Sequence, residues 1–231
     1  MTRPADVVFL IDVDNTLLDN DRILADLRAH LDAEFGADER NRYWQIFEDL
    51  RAELGYADYL GALQRYRQGN LNEPKLLQMS CWLVDYPFAQ RLYPGSLDVL
   101  NHLRRWGPTV ILSDGDVVFQ PRKVQRSGLW DAVEGRVLIY IHKERMIDAM
   151  VNRHPARHYV MIDDKVRILA AMKDILRERL TTVFPRQGHY ALDVEQVAPY
   201  PRPDVTVEHI GDLLEFGLTD LLGGNRAPEK A

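Results

Sequence analysis

The sequence predicts an α/β fold: a three-layer core built around a parallel sheet, with an all-α unit inserted after the first strand. Three observations predict it. Short β-branched runs recur along the chain with helix-period segments between them, the alternation produced when every strand must cross over to re-enter the same sheet. One connection is far too long to be a simple crossover and carries helical periodicity throughout. The first run, FLIDVDNTLLDN, ends in two aspartates, Asp12 and Asp14, and a strand entering a core has no structural need of charge there.

In chain order the strand candidates are VVFLIDV, PTVIL, RVLIYI, HYVMI, LTTVF and a weaker VTV. The segments SLDVLNHLRRWG, VFQPRKVQRSG, KERMIDAMVNRH and KVRILAAMKDILRER alternate with them. Each has apolar residues three and four apart, and Gly107 and Gly128 close two of them. Right-handed crossovers follow from that order. Between Leu17 and Arg91 no strand pattern occurs. RILADLRAHLDAEFG, NRYWQIFEDLRAELG, YADYLGALQRYRQG and PKLLQMSCWLVDY each carry an apolar stripe there, and ~70 residues are room for about four ordinary helices. The expected organisation is a core of residues 1–17 and 92–222, a helical cap over 18–91 and a frayed tail over 223–231.

With 231 residues, 46% of them hydrophobic and 28% charged, the chain can bury a full core and has no disordered or repetitive character. A formal net charge of -6 argues against nucleic-acid and anionic-membrane partners, whose nonspecific binding depends on clustered Lys and Arg. The N-terminus lacks a signal-peptide layout and no apolar stretch is long enough to span a bilayer, so a cytoplasmic protein is expected. The single cysteine, Cys81, lies in a helical pattern and reads as a small core residue.

Ligands of open α/β sheets bind beyond the carboxyl ends of the strands. Standing there are Asp12, Asp14 and Thr16 after the first strand, Ser113 and Asp114 after the second, Lys143 after the third, and Asp163 and Asp164 after the fourth. Each has an ordinary reading alone, because Asp and Ser cap turns, acids favour helix N-termini and a lysine at a helix start is solvated. Their joint order carries the information. It resembles the aspartate-nucleophile phosphatase branch of the haloacid dehalogenase superfamily, over most of the chain. That family's motifs stand here as Asp12-Val13-Asp14-Asn15-Thr16, Ser113, Lys143 and the pair Asp163-Asp164. PGSLDVLNHL and the helical insertion between the first and second motifs also look like its capped members.

The resemblance implies a Rossmann-like core and Mg²⁺-dependent hydrolysis of a small phosphorylated metabolite. Asp12 would be the nucleophile that becomes an aspartyl phosphate, and Asp14 would protonate the leaving oxygen and then deprotonate water. Ser113, Asp114 and Lys143 would meet the phosphoryl group. Mg²⁺ would be held by Asp12, the Asp14 main-chain carbonyl and, mainly in the fourth motif, Asp164, with Asp163 counted as a further metal residue. Asp14 also separates phosphatases from the resembling dehalogenases, which expel halide without a proton and lack that acid. The sequence departs from the family pattern at Asp114-Gly115, where Asn-Gly is usual, at Asp163, which fills a glycine position, and at Ile168, near where a further acid can stand.

Other readings stay open beside this one. A phosphomutase of the same superfamily would carry the same motifs, and a regulatory protein could retain the fold without turnover. Receiver domains fit poorly, since they lack the cap and phosphorylate an aspartate after a later strand. Lys123 competes with Lys143 as the third-motif lysine. In the cap, Asp19, Asn20, Tyr43, Trp44, Tyr56, Tyr59 and Trp82 could face the cleft or form cap core. Arg186 and His189 could line its entrance, or belong to a turn at Gln187-Gly188. Substrate identity and oligomeric state are not legible.

Overall fold

The computed structural model describes residues 4–71 and 73–223, so the expected tail lies outside the described residues except for Gly223. Six parallel strands form one sheet: β1 (Ala5–Ile11), β2 (Thr109–Asp114), β3 (Val137–Tyr140), β4 (Ala156–Ile162), β5 (Leu180–Pro185) and β6 (Val205–Val207). Their order is β3-β2-β1-β4-β5-β6, and each overlaps one of the runs read from the sequence. The chain moves outward from β1 to β3 and then returns to the other side of β1 as β4. The order therefore reverses at β1 and β4, the place where such sheets open a crevice.

Alternation along β1 divides the core into two. Val7, Phe9 and Ile11 pack on one face of the sheet, and Val8 and Leu10 on the other. The first face carries α5 (Ser96–Arg104), α6 (Phe119–Arg126) and α7 (Leu129–Ala132). The second carries α8 (Ile147–Arg153) and α9 (Val166–Leu176), with α10 (Gly188–Leu192) and α11 (Val194–Val197) beyond β5. A last short helix, α12 (Leu218–Leu222), closes the described chain.

The long first connection is helical: α1 (Asn20–Phe35), α2 (Ala37–Leu54), α3 (Tyr59–Gln68) and α4 (Lys75–Asp85), termed cap helices A to D, followed by a 3₁₀ turn at Phe88–Arg91. Helix A buries Ile23, Leu27 and Leu31, helix B Tyr43, Phe47 and Leu50, and helix D Leu76, Met79 and Leu83, each a stripe of three- and four-residue steps. Tyr43 donates its hydroxyl to the Tyr59 carbonyl at 2.9 Å, so it is cap core and does not face the cleft. Cys81 corrects the sequence reading. It is exposed, because it stands two residues from Met79, on the side of helix D opposite the buried stripe. The helix expected from Lys143 starts at Ile147 instead, and Lys143–Arg145 is a 3₁₀ turn.

Candidate active site

Four chain segments meet at the carboxyl end of the sheet. Asp12 follows β1 and donates its N–H to Ile162 O at 3.0 Å, while Asp163 follows β4 and donates to Val183 O at 3.1 Å. Ladder bonds thus carry both acids one residue past the strands. Asp12, Asp163 and Asp164 are at most 4% exposed, and their carboxylate oxygens lie within 4.8 Å of one another. Three buried carboxylates cannot coexist in a low-dielectric site without cations.

One cation on the chain makes direct ion pairs with them. Lys143, 2% exposed, reaches the Asp12 carboxylate through Oδ1, and its Nζ lies 2.7 Å from Asp163 Oδ2. Burial alone would favour the neutral amine, but Asp12, Asp163 and Asp114 outweigh it and hold the ammonium above its ordinary range. The acids are not all used up by it. Asp12 Oδ2 and both oxygens of Asp164 are buried without a hydrogen-bond partner. Burial pushes the Asp164 carboxyl well above the usual carboxylate range, with Lys165 pulling the other way, as expected of an acid that needs a further cation to stay ionised. Hard oxygen donors of this kind suit Mg²⁺, which takes a few carboxylates and keeps waters. The donor set fits a divalent cation, with Asp163 occupied by Lys143 and Asp164 free for the metal.

The acid after Asp12 is held differently. Asp14 is on the cleft wall with its side chain 26% exposed, and Lys123 Nζ lies 2.7 Å from its Oδ1. Gln120 Nε2 donates to Ser113 Oγ at 3.0 Å and reaches Asp14 Oδ2 at 3.3 Å, tying the second-motif hydroxyl to this acid. Ser113 Oγ in turn lies 3.4 Å from Asp12 Oδ1. Thr16 is fully buried and accepts the Asp164 N–H at 3.0 Å, so it joins two loops of the site.

Asp114 takes the Lys143 main-chain N–H at 2.7 Å and so orients the lysine turn. Burial pushes its carboxyl up to about 6 against the pull of Lys143. A raised folded pKa means that the native state binds this proton more tightly than the unfolded chain, so native stability falls as pH rises from 3.8 to about 6 and the full cost of ionised Asp114 is present above that. Asp114→Asn keeps the acceptor and removes that charge, and its thermal midpoint at pH 7 should match or exceed the parent's. Asp114→Ala strands the buried N–H and should cost about 1–3 kcal/mol, lowering the midpoint by several degrees. Equal midpoints for the two variants in thermal denaturation would contradict the orienting role.

The cap closes over these groups and leaves a cavity of about 630 Å³. Asn20, Trp44, Tyr56 and Tyr59 line it, as considered from sequence; Tyr43 and Trp82 do not. Trp82 stacks on His30 at 4.5 Å, and Asp19 accepts the Arg22 N–H at 2.9 Å as the cap of helix A. His189 lines the cavity and sits 2.5 Å from Asp21 Oδ1, whereas Arg186 pairs with Glu208 at 3.1 Å away from it. The Gln187-Gly188 turn is also present: Gly188 has φ +77°, and a Cβ there would fall 2.4 Å from the Asn15 Cβ. Gly55, at φ +80°, ends helix B so close to His142 that a Cβ would lie 2.9 Å from its ring. The sequence reading missed Gln120 and considered Lys123 only as a rival of Lys143 for the third motif, whereas it pairs with Asp14. Their signal was present, since both fall on the buried stripe of α6 with Phe119 and Val124, where a polar residue must find a partner.

Comparison with known proteins adds to this geometry. The family model for haloacid dehalogenase-like hydrolases matches residues 7–175. A haloacid dehalogenase-like hydrolase of Burkholderia xenovorans LB400 is 68% identical over 93% of this chain and 100% of its own, with a TM-score of 0.88. Two more distant structures share the fold. The L-2-haloacid dehalogenase of Xanthobacter autotrophicus is 19% identical, with coverage of 90% and 96% and a TM-score of 0.58. The HAD-hydrolase YfnB of Bacillus subtilis, bound to magnesium, is 15% identical, with coverage of 92% and 98% and a TM-score of 0.55. No curated protein matches the chain. Among the described residues no helix is long and apolar enough to cross a membrane.

Proposed function

We propose that this chain, which belongs to the haloacid dehalogenase-like hydrolase family, is a Mg²⁺-dependent phosphatase that hydrolyses a small phosphorylated metabolite through a phosphoryl group carried on Asp12. One observation carries the choice over dehalogenation: a second carboxylate, Asp14, stands on the cleft wall two residues after Asp12, beside an acid triad with unpartnered oxygens. Expelling halide requires neither a proton donor nor a divalent cation. Cleaving a phosphate monoester benefits from both.

The residues divide the work. Asp12 has Oδ1 held by Lys143 and Ser113 while Oδ2 makes no hydrogen bond, which leaves an oxygen available to form the bond to phosphorus. Lys143 and the Ser113 hydroxyl offer charge and a donor to the phosphoryl oxygens. A divalent cation held by Asp12, the Asp14 carbonyl and Asp164 would neutralise phosphoryl charge that otherwise repels an attacking carboxylate. Asp14 then gives a proton to the departing oxygen and takes one from water. Gln120 and Lys123 hold its carboxylate in place during both transfers.

A phosphate-release assay over phosphorylated sugars, nucleotides and short acids, run with Mg²⁺ and with chelator, tests the reading. Release that chelation leaves unchanged would sink the metal assignment. Asp164→Ala should raise the Mg²⁺ concentration needed for half-maximal activity by at least about tenfold, the loss that follows even when only a residue orienting a ligand is removed, with partial rescue at excess Mg²⁺. An unchanged Mg²⁺ titration would exclude Asp164 as a ligand.

A further inference from the structure

The 630 Å³ cavity is far larger than a phosphoryl group needs, so its walls must read the rest of the substrate. Most of the charge on those walls is internally matched. Arg51 pairs with Glu48 at 3.5 Å and with the Tyr190 hydroxyl across the cap–core gap. Arg167 pairs with Glu144 at 3.1 Å, Asp14 with Lys123 at 2.7 Å, and Asp114 holds the Lys143 N–H. Lys165 follows Asp164 directly and lies over the Tyr190 ring, 4.8 Å from its centroid, with no carboxylate ion pair of its own among the described residues.

Besides Lys165, which sits beside the acid triad, two wall cations are left over. Arg28 on cap helix A and Arg145 on the core turn after β3 line the same cavity, and among the described residues neither has a carboxylate partner. Arg28 lies over the Trp44 ring, 3.9 Å from its centroid. Stacking of that kind fixes the guanidinium plane and leaves its edge donors open, the arrangement that suits bidentate recognition of a carboxylate or phosphate. The chain has 35 acidic and 29 basic Lys and Arg residues, so a solvated arginine has acids in excess to pair with. Other described arginines, such as Arg22 and Arg67, also lack a carboxylate partner, so what sets Arg28 and Arg145 apart is that both line one cavity, one from the cap and one from the core.

We propose that the substrate's leaving group carries a second anionic group, a carboxylate or a phosphate, which Arg28 and Arg145 read together. The inference rests on the phosphatase reading above and narrows it to phosphate monoesters with two anionic ends. One end faces Asp12 and the other bridges the cap and the core, so the substrate itself contributes to holding the cap closed. The arginines select by charge-assisted hydrogen bonds and take no part in bond cleavage.

Matched pairs of compounds test this. The carboxylate arm compares 3-phosphoglycerate with glycerol 3-phosphate. The phosphate arm compares fructose 1,6-bisphosphate with fructose 1-phosphate and fructose 6-phosphate. In one arm the compound with the second anion should have a kcat/KM at least about tenfold higher, the scale of a hydrogen bond to a charged group. Arg28→Gln and Arg145→Gln should each shrink that ratio, mainly through KM, and the double variant should bring it close to one. Both side chains are exposed, and circular dichroism checks that the variants fold. Equal kcat/KM within every pair for the native protein, or a ratio that survives the double substitution, overturns this inference and leaves the phosphatase reading standing. Phosphate release from no compound overturns both.

Discussion

Asp12→Asn should lower phosphate release by roughly four orders of magnitude or more, the scale on which loss of a covalent nucleophile registers. The amide keeps the shape of the side chain and its place beyond β1, but it cannot form the aspartyl phosphate. Folding should survive. Lys143 keeps Asp163 within 2.7 Å, so the substitution does not leave a buried ammonium alone. The checks are steady-state phosphate release and a circular dichroism melt on the same preparation. Activity near that of the parent, with an unchanged spectrum, would show that Asp12 is not the nucleophile.

Asp14→Asn should split substrates by leaving group. An aryl phosphate with an acidic leaving group hardly needs a proton, so phosphoryl transfer to Asp12 should persist with it and fail with an alkyl phosphate. Hydrolysis of the aspartyl phosphate still needs a base, and loss of general acid–base assistance costs about 10² to 10⁴ in rate. The intermediate should accumulate. Rapid quench with an aryl phosphate should give a burst approaching one equivalent of enzyme, and peptide mass spectrometry should place the phosphoryl group on Asp12. The asparagine also loses the ion pair with Lys123, so a melt is needed to separate mechanism from stability. Equal losses on aryl and alkyl phosphates, with no burst, would make Asp14 a structural acid.

The core was legible because its signals are local. A buried strand announces itself by β-branched runs, and residues just past it stand at the sheet's carboxyl edge whatever the rest of the chain does. Asp12, Ser113, Lys143, Asp163 and Asp164 were placed that way, and the structure brings them to one spot. Periodicity gives a helix an inner face but says nothing of what its outer face meets. On cap helix B, Tyr43, Phe47 and Leu50 form the buried stripe, while Trp44, Glu48 and Arg51, one residue further round, line the cavity together with Phe47. Tyr43 and Trp44 were therefore indistinguishable as cleft candidates until the docking of the cap was known. Cys81 was misread for a related reason: small apolar residues are usually inside, but position on helix D decided against it.

Lys123 and Gln120 show where a sequence reading can go further. A lysine 1% exposed and a glutamine 3% exposed on one stripe of α6 each need a partner, and both find Asp14. No spacing rule names that partner, because the acid lies more than a hundred residues earlier and meets α6 only after the sheet has formed.

Phosphoryl transfer is the chemistry proposed for this chain on a fold shared with L-2-haloacid dehalogenases. Measuring phosphate and halide release in parallel tests it most directly, with one enzyme preparation offered phosphate monoesters and L-2-haloacids, with and without Mg²⁺. The expected result is Mg²⁺-dependent phosphate release that chelation abolishes, and no halide release under any condition. Halide release from an L-2-haloacid, independent of Mg²⁺ and unaccompanied by any phosphate release, would contradict it.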